Sequence, residues 1–161
     1  MTTAHPESRV AELVKVCFAL PHEDDWPPVG SERLWAEPLG ENRYRVDNTP
    51  WFATNLSADD VVEALAGDDG VLWATKRVEF SGRLTVRVIP LSESTTLAAI
   101  MATFAEFGVT GEGAGPAFRL VALDIPADAD HAAILATLRA GQANGTWSYE
   151  EGCVTDAWLA L

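Results

Sequence analysis

With 161 residues, 48% of them hydrophobic and 22% charged, the composition is that of a folded globular protein, one domain or two small lobes, and excludes a disordered chain. Eleven basic against 24 acidic residues give a formal charge of −13. Such a field repels nucleic acid and anionic membrane, and it speeds encounter with basic proteins. No run approaches the ~20 apolar residues of a membrane span, and no apolar stretch follows Met1 as in a secretion signal. Cys17 and Cys153 stand alone and imply no disulfide framework, so the expected location is the cytoplasm.

Residues 1–9 read as a loose end. From Val10 to Leu20, apolar Val14, Val16, Phe18 and Leu20 alternate as in a strand with one buried face. Pro21 to Gly30 is a proline-broken acidic loop. Leu34 to Pro38 and Arg43 to Asp47 predict a hairpin around Gly40-Glu41-Asn42. With Leu34, Ala36, Tyr44 and Val46 inward, Trp35, Glu37, Arg43, Arg45 and Asp47 share the opposite face. Ser57 to Gly67 fits either a capped helix or a turn into a strand; the strand reading is preferred. Leu72 to Phe80 and Leu84 to Leu91 predict a second hairpin, with Arg77, Glu79 and Arg87 outward.

Beyond Leu84 the period changes. Leu97, Ile100, Met101, Phe104 and Phe107 mark a helix that starts at Ser94 and ends at Gly108. A strand over Ala117 to Ile125, a helix capped by Asp128 and carrying Ile134, Leu135 and Leu138, and a strand over Trp147 to Val154 follow. The predicted class is α+β: a small β-barrel or β-sheet lobe over residues 10–83, then a ferredoxin-like βαββαβ sandwich over residues 84–155.

Chemistry-bearing patterns are few. His22-Glu23-Asp24-Asp25 lacks calcium-loop spacing, and His131 sits at the edge of a helical core stripe. Gly111 to Gly115 fails the dinucleotide fingerprint because Pro116 occupies the third glycine position. No Gly-x-Ser-x-Gly elbow is present, and Cys17 reads as a core thiol. In a strand, Glu150 and Glu151 point to opposite faces and cannot share a proton. No metal and no cofactor is expected.

The segments Asp25 to Val29, Leu34 to Gly40, Tyr44 to Phe52, Asp60 to Ala64 and Tyr149 to Cys153 carry a resemblance. Together they resemble the uncharacterised bacterial domain-of-unknown-function family 4265, frequent in actinobacteria, over roughly residues 13–153. Members usually place Gly-Asp before Val-Val-Glu-Ala, where this chain has Ala58-Asp59-Asp60. The resemblance implies no activity, cofactor or catalytic residue.

The expectation is a non-enzymatic cytoplasmic binding protein, an immunity or antitoxin-type inhibitor of a basic protein partner, without nucleic acid or membrane. Its expected contact residues are Trp35, Arg45, Asp47, Asn48 and Trp51, with Glu150 and Glu151 as steering charges. The alternatives are a sensor binding a small ligand in the ferredoxin-like lobe, and an enzyme using Asp47, Asn48 and Glu151.

Overall fold

The computed structural model describes residues 12–115 and 117–161; the expected loose end, with Val10, Ala11 and Pro116, lies outside the described residues. In chain order the first five strands are β1 (Val14–Ala19), β2 (Ser31–Gly40), β3 (Arg43–Val46), β4 (Val61–Ala66) and β5 (Leu72–Glu79). There follow β6 (Leu84–Pro90), α1 (Leu97–Ala105), β7 (Thr110–Gly113), β8 (Val121–Ile125), α2 (His131–Ala143), β9 (Trp147–Cys153) and α3 (Asp156–Leu159). The class is mixed α+β, with few helices.

Strands β1 to β5 close a small barrel in sequence order, antiparallel at every step until the seam. There β1 meets β5 in parallel at one position, Cys17 against Trp73. Strand alternation fills the barrel with Val16, Leu34, Ala36, Val46, Val62 and Ala64, all buried, and leaves Trp35 and Arg45 outside. The ambiguous Ser57–Gly67 segment is strand from Val61 onward. Its entry turn holds Asp59 at φ 66°, followed by Asp60, which is fully buried.

The remaining strands form one antiparallel sheet in the order β7-β8-β6-β9. Helices α1 and α2 cover one face. Ile100, Phe104, Ile134, Leu135 and Leu138 pack on Leu84, Val86, Val88, Val121, Leu123 and Ile125. Burying each such side chain fully contributes about 1.5–3 kcal/mol, and this layer is the larger of the two cores. Helix α2 approaches β9 so closely that a Cβ on Gly141 would sit 2.1 Å from the Trp147 ring. The short α3, not foreseen in the sequence, seats Trp158 in the same core at 1% exposure. On the opposite face, Ile89, Leu120 and Phe118 join the barrel's apolar cluster, so the barrel and the sheet share a core.

Several expectations are corrected. Residues 72–80 and 84–91 do not form a hairpin: β5 pairs with β4 and β1, whereas β6 pairs with β8 and β9. Arg87 is therefore not outward but 1% exposed, because the sheet face it occupies lies against the barrel. Helix α1 is capped by Thr96 rather than Ser94, and α2 by Asp130 rather than Asp128. In each case the side chain that accepts a first-turn N–H lies immediately before the helix. Strand β2 starts at Ser31, three residues earlier than predicted, and β8 starts at Val121, four later.

Candidate functional site

The outer face of the β2–β3 ribbon is built by alternation. Leu34 and Ala36 point into the barrel, so the intervening Trp35 must point out, and 41% of its surface is exposed. Its backbone is fixed on both sides: its N–H donates to Asn48 Oδ1 at 2.8 Å, and its carbonyl accepts from Asp47 N–H at 2.8 Å. Lys15, its register partner on β1, holds its ammonium 4.2 Å from the ring centroid. An exposed cation over an indole contributes about 0.5–1 kcal/mol and orients the ring. Directly across the ribbon, Arg45 Nη1 donates to Glu37 at 3.1 Å.

The surface continues around the barrel. Arg33, Cys17, Trp73 and Leu65 follow one another in register across β2, β1, β5 and β4. Trp73 is 39% and Leu65 47% exposed. Two partly exposed indoles thus share one rigid β surface, framed by Lys15, Arg33, Arg43 and Arg45. Glu37, Asp47 and Glu63 lie among these cations, so the face carries interspersed charges of both signs.

The other expected contact residues have structural tasks. Trp51 is half-buried and donates its indole N–H to the Glu112 carbonyl at 3.2 Å, bridging barrel and sheet. Phe52, next to it and not one of the expected contacts, is buried in the barrel core. Glu150 accepts from Arg87 Nη1 at 3.0 Å on the barrel side of β9. Glu151 turns to the helix side and accepts from the Trp158 indole at 2.9 Å. Trp35, Arg45, Asp47 and Asn48 thus share the ribbon; Glu150 and Glu151 lie on another strand, on opposite faces of its sheet. Asp47 lies near Glu112, whose carboxyl is pushed above its ordinary value by burial and then by Asp124 and Asp47.

A buried polar layer at the lobe junction escaped the sequence reading. Glu32, 6% exposed, accepts the backbone N–H groups of Trp51 (2.6 Å), Phe52 (2.9 Å) and Ala53 (2.8 Å). Arg87 donates to Glu150 and to the Ala53 carbonyl, while its Nε has no partner among the described residues. Burial lowers the Arg87 pKa, and Glu150 and Glu32 partly offset that. Gly152 lies flat against the guanidinium. Asp60 accepts from Ser57 N–H (2.9 Å) and Ser81 N–H (2.7 Å), and pairs with Arg77 at 3.4 Å. One signal was available: Glu32 has the same parity as Leu34 and Ala36, an acid at an inward position. Among the described residues, no group of three or more His, Cys, Asp or Glu is placed to hold a metal ion. None of their helices is long and apolar enough to cross a membrane.

The family model described as a domain of unknown function, DUF4265, matches residues 32–149, from the buried Glu32 to the first residues of β9. Among solved structures, the fold is similar to that of a hypothetical protein from Neisseria gonorrhoeae. The TM-score is 0.75 at 18% identity, with 88% of this chain and 95% of the other covered. No curated protein matches the chain.

Proposed function

We propose that this chain, which belongs to the DUF4265 family, is a non-enzymatic binding protein that grips a protein partner with the outer barrel surface centred on Trp35. The observation that carries this reading is the 41% exposed indole, held rigid by Asn48 and Asp47 and oriented by Lys15. A preordered aromatic flanked by an ion pair loses little entropy on contact, and Trp and Arg dominate interface energetics. A net charge of −13 supports a basic partner approached by long-range attraction, as for an immunity or antitoxin-type inhibitor. Lys15, Arg33 and Arg45 then select an acidic or carbonyl-rich patch on that partner. We read the sheet unit as ferredoxin-like, supported by the order β7-β8-β6-β9 and by both long helices on one face; it serves as the base on which the barrel is mounted.

The test is affinity capture from a lysate of the source organism, with the wild-type chain and a Trp35→Ala, Asp47→Ala variant run side by side. A partner retained by the wild type and lost by the variant supports the reading. Equal recovery of every protein by both contradicts it.

A further inference from the structure

We propose that the wedge between β1 and β5 is a binding site for a small organic carboxylate with an apolar tail. The two strands meet only at Cys17 and Trp73. Beyond that position Phe18–Pro21 and Ala74–Arg77 diverge, and a cavity of about 260 Å³ opens between them, with Ala53–Leu56 as its third wall. That space is enough for a short organic acid.

Its walls divide by chemistry. Phe18, Leu56, Val62 and Ala74 are apolar, and among the described residues the charged ones that line it are Lys76 and Arg77. In a chain with more than two acids for every base, a cavity lined by two cations and no carboxylate selects an anion. Arg77 is already positioned. Its Nη1 donates to the Asn55 carbonyl at 2.9 Å and to Asp60 at 3.4 Å, and lies 3.5 Å from Cys153 Sγ. Its guanidinium carbon sits 4.7 Å from the Phe80 ring centroid. Among the described residues every one of these polar contacts leaves from Nη1, which keeps the Nε and Nη2 edge for the paired bonds a carboxylate accepts. Asp60 offsets the Arg77 charge, and Lys76 adds a second cationic residue to the lining.

Hexanoate is the probe, titrated calorimetrically into the full chain, with hexanamide as its neutral counterpart. Hexanoate is expected to saturate with a dissociation constant on the order of 1 mM or lower, within ordinary ligand efficiency for its size. Hexanamide should bind roughly tenfold or more weakly, as expected when charge-assisted bonds are lost. Ala74→Leu fills the cavity with both cations in place and should abolish saturation. Lys76→Gln, at an exposed position, should weaken hexanoate several-fold at an unchanged melting temperature, and decides the matter if Ala74→Leu fails to fold. Equal binding of acid and amide, no saturation by the wild type, or wild-type affinity in a folded Ala74→Leu variant overturns the proposal. The site is separate from the ribbon surface, so its failure leaves that reading standing.

Discussion

Replacing Gly152 with alanine tests the lobe junction at its tightest point. A Cβ there would lie 2.7 Å from Arg87 Nη1 and 2.9 Å from Cζ, short of ordinary contact by about half an ångström or more. Arg87 cannot swing away cheaply: it is 1% exposed and bound to Glu150 and the Ala53 carbonyl. Overpacking a tight site costs about 1–3 kcal/mol, and displacing a buried cation from its partners adds to that. The Glu150 end is 44% exposed, so water recovers part of its loss, and the sum is about 2–4 kcal/mol. In a chain of this length that lowers the melting temperature by about 10 °C. Chemical denaturation of Gly152→Ala, Arg87→Met and the double variant gives the coupling. The flexible methionine should yield to the new methyl group, so the glycine substitution should cost roughly 1 kcal/mol or more less in the Arg87→Met background. A Gly152→Ala loss below about 0.5 kcal/mol, or strict additivity, would refute the packing described for this junction.

Two further substitutions probe the buried carboxylates and the junction rim. Glu32→Gln places an amide NH₂ against a backbone N–H of the 51–53 segment whichever way it turns, and should cost about 1–3 kcal/mol. Hydrogen exchange should quicken first at Phe52 and Ala53, and unchanged protection there would count against the role given to Glu32. Glu112 titrates above its ordinary value of 4.5 when folded, so the folded state holds that proton more tightly than the unfolded chain. The stabilisation this gives is complete below pH 4.5 and is lost as pH rises through the raised value. Glu112→Gln should therefore melt higher than wild type at neutral pH, with the advantage vanishing in acid; a constant difference across that range would contradict the environment assigned to Glu112.

Local periodicity made much of the fold legible. Leu34, Ala36 and Val46 alternate with Trp35 and Arg45, and a period of two admits only one assignment of faces once the apolar set is inside. The helices were legible from their stripes, although their caps shifted because Ser94, Thr96, Asp128 and Asp130 are all competent caps and packing chooses among them. What local pattern cannot carry is which sheet a strand joins. Residues 72–80 and 84–91 look like neighbours, yet the chain crosses from barrel to sheet between them. That one crossing buries Arg87, brings Glu150 to it, and leaves Gly152 as the residue that fits beneath. The cavity at the seam was equally invisible, since it exists only because β1 and β5, far apart in sequence, touch once and part.

The ribbon surface is tested most directly by the affinity of the captured partner for wild type and for Trp35→Ala, measured at low and physiological salt. Trp35 carries no core packing, so the variant should melt within about 1 kcal/mol of wild type while binding roughly 30-fold more weakly. Association should also slow as salt rises, because an opposite charge on the partner is what −13 attracts. Wild-type affinity in a folded Trp35→Ala chain would contradict the assignment of this face.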